Sequence, residues 1–289
     1  MFMREIVNKF TEELKSSGKS IHTIIAYKKD IEQLLEYFYQ NGIKDFSEVT
    51  EDNLRDYFKS TSQNNSLSVK TVSRKLNSAR TFFKYLENSN IIKENPASSI
   101  SHPKIETNSP RILSEIEYRA LRDTARSDAR TFIIIELLLQ TGIRIGELCR
   151  IKMEDIQLDS KNPTLKITSY ASNPERVIPL NQSAVKVLQQ YLEIRPKNAK
   201  TEELFITKNG NPLLVRNVRS TIDNMFRKSG IEKAKVNDLR NTFIAHHLSK
   251  GTNIFQLSKI IGHKRISTTE KYIGKIKMGT EKLIPLAEL

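Results

Sequence analysis

The chain has 289 residues, with 47 Lys and Arg against 33 Asp and Glu, a net charge of +14 that points to a polyanion as partner. This length exceeds the roughly 100–200 residues of a single domain, so two domains are expected. The longest apolar stretch, 132–139, is broken by Glu136 and falls far short of the roughly 20 residues of a membrane span, and the lone Cys149 excludes internal disulfides and a cysteine-built zinc site.

The first twenty residues alternate charged with apolar side chains and hold no signal-peptide core, so a soluble cytoplasmic chain is expected. Ser20 caps a helix in which Ile24, Tyr27, Ile31, Leu34 and Phe38 recur every three or four residues, and Gly42 stops it. Between 69 and 86, Val72, Leu76, Ala79, Phe83 and Leu86 form one stripe. Lys70, Arg74 and Lys84 lie opposite, with Arg80 flanking. That basic face reads either as a solvated helix surface or as one laid against a DNA backbone. The 7 basic and 3 acidic residues between 61 and 110 raise the second reading without deciding it. A helical domain over 1–100 follows, with an extended linker over 101–112 and a second domain over 113–289. Residues 1–110 hold 16 basic and 14 acidic side chains and 111–289 hold 31 and 19, so the main polyanion surface is expected in the second domain.

The stretch 132–139 is too apolar for a surface helix and reads as a buried one, ending where Gly142 can take the left-handed cap. Arg144 follows between Ile143 and Ile145. A guanidinium placed there needs a carboxylate or an external anion, and Glu147 is the nearest internal candidate. Alternating runs at 165–167 and 177–180, around the turn signal Ser172-Asn173-Pro174, predict a β-hairpin; helices are predicted at 183–193 and 215–228. Asn237 or Asp238 caps a further helix and places Arg240 in its first turn, where an anion is favoured, with Asp238 as the alternative internal partner. His263 then closes an apolar turn, and a short helix begins at Ser267 and contains Tyr272. The fold class is mainly α with a small β-hairpin or sheet.

Three boxes resemble those of the tyrosine recombinases in order, spacing and flanking residues. They are Thr141-Gly142-Ile143-Arg144-Ile145-Gly146-Glu147-Leu148, Leu239-Arg240 followed by Thr242-Phe243, and Ile261-Gly262-His263 with Tyr272 nine residues on. The resemblance covers nearly the whole chain, and the Xer-like branch matches best. It implies a helical core-binding domain that clamps DNA and a mixed α/β catalytic domain. It also implies that Tyr272 attacks a DNA phosphodiester to give a 3′-phosphotyrosine and a free 5′-hydroxyl, with no ATP, metal or cofactor. Arg144 and Arg240 would hold the non-bridging oxygens, His263 would add a donor, and Glu147 would orient the Arg144 region. The apolar tail 283–289 would dock on a neighbouring copy within a homo- or hetero-tetramer on two double-stranded sites.

Two positions depart from the family pattern. The hairpin lysine that serves as general acid falls on Ala171, leaving Lys166, Lys208 and Lys264 as candidates. The histidine three residues before Arg240 is Asn237, still counted among the catalytic set, and the residue after Arg240 is Asn241. The expected function is site-specific recombination, for chromosome dimer resolution or for moving an integrated element. A weakened homologue that only binds its site and a relaxing type IB topoisomerase are the alternatives.

Overall fold

The computed structural model describes residues 2–64, 67–104, 109–159, 161–170 and 173–275. The chain divides into two compact units, Met1–Thr107 and Asn108–Leu289, each with its own hydrophobic core. Among the described residues no helix is long and apolar enough to cross a membrane.

The first unit is built from α1 (Phe2–Ser16), α2 (Ile21–Gln40), α3 (Glu51–Asn64) and α4 (Val69–Asn88). Ser20 caps α2 by accepting the Thr23 backbone N–H, and Ser68 caps α4 in the same way through Thr71. The apolar stripe expected on α4 is buried throughout and is joined by Phe82. Aromatic edges from Phe10, Phe46 and Phe83 close on Phe82, which is how a four-helix unit of this size fills its centre. Among the described residues two charged groups lie inside, Asp30 of α2 at 4% exposed and Lys75 of α4 at 6%, and Asp30 is paired with both Lys75 and the more exposed Arg74 of α4.

The second unit begins with α5 (Glu115–Ala125) and α6 (Ala129–Thr141). Asp128 caps α6, whose side chains from Ile133 to Leu139 are all buried, so it forms the central helix expected from its composition. Glu136, the one charge in that run, accepts a two-pronged pair from Arg122 of α5 at 2.6 and 2.7 Å. After α7 (Ile145–Leu148) come β1 (Ile156–Gln157), β2 (Thr164–Ile167) and β3 (Arg176–Pro179), an antiparallel sheet in that order. The expected hairpin is therefore β2 and β3, with β1 added at the edge. Leu165 pairs with Ile178 and Ile167 with Arg176, and all four side chains face inward. Tyr170 and Asn173 exchange backbone hydrogen bonds of 3.2 and 2.9 Å across the hairpin end, while Ala171 and Ser172 lie outside the described residues.

Helices α8 (Gln182–Ile194), α9 (Val215–Lys228), α10 (Val236–Ser249), α11 (Ile254–Ile261) and α12 (Ser267–Glu270) complete the unit. The start of α10 differs from the sequence expectation. Its cap is Lys235, because Asp238 reaches back to accept the Lys235 backbone N–H at 2.8 Å. Neither Asn237 nor Asp238 is the cap, and Arg240 falls in the second turn rather than the first. The tail 283–289, on which the expected docking to a neighbour depends, lies outside the described residues.

Candidate active site

Two left-handed glycines deliver the second unit's charged residues. Gly142 ends α6 at φ 62°, and a Cβ there would stand 2.4 Å from the Phe243 ring, so only glycine lets the chain turn against α10. That turn makes Arg144 the residue that opens α7. Glu147 folds back to accept the Arg144 backbone N–H at 2.8 Å and its Nη1 at 3.0 Å. The internal partner foreseen for Arg144 is thus real, but it is shared. Arg176 approaches the same carboxylate two-pronged, at 3.1 and 2.7 Å, and donates its Nε to the Ile260 carbonyl at 2.8 Å. Burial pushes the Glu147 carboxyl upward, but the hydrogen bonds from Arg176 and the Arg144 backbone, with the charges behind them, prevail and hold it below its ordinary range.

Arg240 is the third guanidinium, 4% exposed. It donates to the carbonyls of Gly142 and Ile261, each at 2.6 Å. Asp238, its alternative partner in the sequence, instead accepts from Lys235 and from Asn241 Nδ2 at 3.1 Å. Burial, then the nearby Arg144, pull Arg240 down to about 9, so it stays protonated at neutral pH. Glu147 is the carboxylate that acts on it, against the charges of Arg144 and Arg176. The cluster thus carries excess positive charge in a desolvated place, where an anion is the missing partner.

His263 follows Gly262, the left-handed cap of α11. Its Nδ1 lies 2.9 Å from the hydroxyl of fully buried Thr269, leaving Nε2 for another partner. Burial first, then Arg240, Arg144 and Arg176, lower the imidazole to about 4, so it is neutral at physiological pH. Tyr272, 7% exposed, donates its hydroxyl to Asn241 Oδ1 at 2.8 Å; Asn237 Nδ2 donates to the same oxygen at 3.2 Å. Burial raises the phenol's pKa, with Arg240 and Arg144 opposing and Asp238 assisting.

The structure therefore gathers Arg144, Glu147, Arg240 and His263, with Tyr272, Asn237 and Asn241 alongside. Among the described residues no group of three or more His, Cys, Asp or Glu gathers to hold a metal ion. The candidate lysines fare unequally. Lys208 lies near Asp128, at the start of α6, a helix length of about 20 Å from Gly142, and is removed from the cluster. Lys166 is an outward residue of β2 paired with Glu175 at 3.4 Å, yet it lines a narrow cleft with Glu147, Arg150 and Tyr170. Lys264 is exposed beside His263. Arg176 had no assigned role in the sequence reading. The signal was its period-two place on the inward face with Ile178 and Leu180.

In the first unit the expected basic face is reduced. Lys70 and Lys84 are exposed, whereas Arg74 is paired with Asp30. Arg80 donates to the carbonyls of Ala97, Ser98 and Ile100 at 3.2, 3.2 and 2.5 Å, so its guanidinium is committed to the chain's own backbone instead of being free for a phosphate.

Residues 110–277 match the phage integrase family and residues 7–90 match the phage integrase N-terminal SAM-like domain. A tyrosine recombinase of Pseudothermotoga lettingae is 31% identical over 279 residues, covering 94% of each chain. Tyrosine recombinase XerC of Staphylococcus carnosus is 32% identical over 260 residues, covering 88% of this chain and 86% of its own. Among solved structures, XerA recombinase is 26% identical with a TM-score of 0.53, over 93% of this chain and 92% of that one. A lambda integrase dimer bound to a COC′ core site shares the fold at 18% identity and a TM-score of 0.74, over 91% and 96% of the two chains.

Proposed function

Because this chain belongs to the phage integrase family of tyrosine recombinases, enzymes that cleave and religate DNA through a tyrosine intermediate, we propose that Tyr272 is its nucleophile and Arg144 and Arg240 its phosphate clamp. The observation that carries the reading is Arg240, a buried guanidinium held by two carbonyls and lacking a carboxylate of its own. A phosphodiester in that place gains charge in the transition state, and planar guanidiniums meet it with paired donors.

In the cleavage step the Tyr272 Oη–phosphorus bond forms and the bond from phosphorus to the 5′-oxygen breaks. The phenol proton passes to solvent water, and one proton from a lysine or from water is delivered to the departing 5′-oxygen, so one proton is lost and one gained. Glu147 fixes Arg144 through two contacts and Arg176 from the other side, so the clamp is set before DNA arrives. With Nδ1 accepting from the Thr269 hydroxyl, neutral His263 donates its Nε2–H to a phosphate oxygen. Lys166, which lines a cleft with Glu147, and Lys264, the residue after His263, are the candidates to supply the acid. Because the usual lysine position is Ala171, cleavage is expected to be slow.

A duplex selected from a random pool by the Tyr272→Phe chain supplies the site. On its nicked form the unsubstituted chain should trap a 3′-linked adduct, and Tyr272→Phe should bind without trapping any. Intact binding with no adduct from the unsubstituted chain would leave a site-specific binding protein. A 5′-phosphorothiolate, whose sulfur leaves without protonation, should cleave markedly faster than the normal substrate. Dimer resolution and movement of an integrated element use the same chemistry, and the genomic position of the selected site separates them.

A further inference from the structure

The Tyr272 hydroxyl makes its hydrogen bond to Asn241, not to a guanidinium, and the chemistry around that amide fixes its direction. Asn241 Nδ2 faces Asp238 Oδ1 at 3.1 Å, and Asn237 Nδ2 faces Asn241 Oδ1 at 3.2 Å. The Asp238 carboxylate, which only accepts, requires the amide nitrogen on its side and so turns the amide oxygen toward Tyr272, with Asn237 oriented to match; an amide oxygen has no proton to give, so the phenol is the donor. Asn241 is itself 5% exposed, so water does not compete freely for the bond.

We propose that Asn241 is a positioning residue that holds Tyr272 in a resting state, protonated and turned toward α10, until a phosphate occupies the arginine cluster. This rests on Tyr272 being the nucleophile. Attack requires the phenol to lose its proton, and an amide oxygen cannot take it. The bond to Asn241 must therefore break before phosphorus is reached. An interaction present in the ground state and absent from the transition state slows the step it precedes. The charges that act on Tyr272 are Arg240, Asp238 and Arg144; replacing Asn241 leaves both arginines untouched and takes one donor from Asp238, which keeps the Lys235 backbone N–H.

Asn241→Leu keeps the branched outline and heavy-atom count of the side chain and cannot accept. On the nicked selected duplex at saturating concentration, single-turnover adduct formation should be about fivefold faster, the usual net contribution of one neutral hydrogen bond. Affinity for the same duplex should stay within about twofold. With 3-fluorotyrosine incorporated, the Tyr272 fluorine resonance, assigned by its loss in Tyr272→Phe, should shift in Asn241→Leu without DNA. It should also shift in the unsubstituted chain when the intact duplex is added. Slower cleavage with normal binding and melting would overturn the proposal by making Asn241 an aid to attack, and an unchanged rate would overturn it by making the bond idle. If Asn241→Leu fails to fold, Asn241→Ser, too short to reach Tyr272, should show the same acceleration, and a fluorine signal unmoved by DNA in the unsubstituted chain overturns the proposal. Failure of the unsubstituted chain to form any adduct would instead remove the nucleophile reading, which the DNA-free fluorine comparison does not depend on.

Discussion

At the scale of single residues, Arg240 and His263 take opposite consequences from the same burial. Arg240 keeps its proton and lacks an anion, so Arg240→Ala should slow adduct formation by about 2–4 kcal/mol, as loss of a transition-state donor does, with site affinity changed far less. Arg240→Lys should recover little, because a point charge cannot reach the Gly142 and Ile261 carbonyls while also forking a phosphate. His263, lowered from 6.5 to about 4 when folded, is protonated first in the unfolded chain. Stability should therefore fall as pH drops from 6.5 toward 4, and His247, also lowered by burial, adds in the same sense. Melting curves across that range should be flatter for His263→Gln. Arg144 stood out in the sequence because a guanidinium between two isoleucines needs an anion. Arg240, His263 and Tyr272 stood out through the resemblance of the three boxes, and the folded chain brings them near one another. Arg176 did not stand out, since a strand arginine reads as surface until the inward period of Ile178 and Leu180 is followed back to it.

Elements carry the next set of consequences. Gly142 and Gly262 are both left-handed, at φ 62° and 70°, and an added Cβ would meet the Phe243 ring in one case and the Arg176 guanidinium at 3.0 Å in the other. Gly142→Ala should lower stability by at least about 1–2 kcal/mol from backbone strain alone, read by denaturant unfolding, with the Phe243 clash adding to it. The end of α6 was readable because glycine has a conformational reason to stand there. The start of α10 was misread by two or three residues because Asn237 and Asp238 have ideal capping chemistry. Asp238 uses it from inside the helix, accepting the Lys235 N–H. On α4 the stripe was legible and the fate of the cations was not, since a helical wheel cannot see the carbonyls at 97–100. If α4 faces DNA, Lys70→Glu and Lys84→Glu should each lower the salt slope of binding by about one unit. Arg80→Ala should leave that slope unchanged and instead lower the melting temperature.

For the whole molecule the governing quantity is charge. The surplus lies almost wholly in residues 111–289, with 31 basic and 19 acidic side chains, so log affinity for the selected duplex should fall linearly and steeply with log salt. The number of phosphates neutralised follows from the slope. Truncation after Gly279 tests the expected assembly: recombination between two sites should suffer more than binding to one, and equal loss would mean that the tail serves its own unit. The division into two units was visible in the polar, proline-bearing stretch near 101–112. The tail 283–289 showed itself only as an apolar run, and its expected docking on a neighbour came from the family resemblance alone.

The carbonyls that grip Arg240 come from Gly142 and Ile261, where α6 and α11 end. Each helix terminus carries roughly half a negative charge from its aligned peptide dipoles. Together they amount to about one carboxylate, but one that cannot be protonated, cannot swing away and cannot form an ion pair tight enough to exclude a phosphate. The arginine is thus steadied by the backbone across the whole acid range while its charge stays on offer. A carboxylate in the same place would have neutralised it.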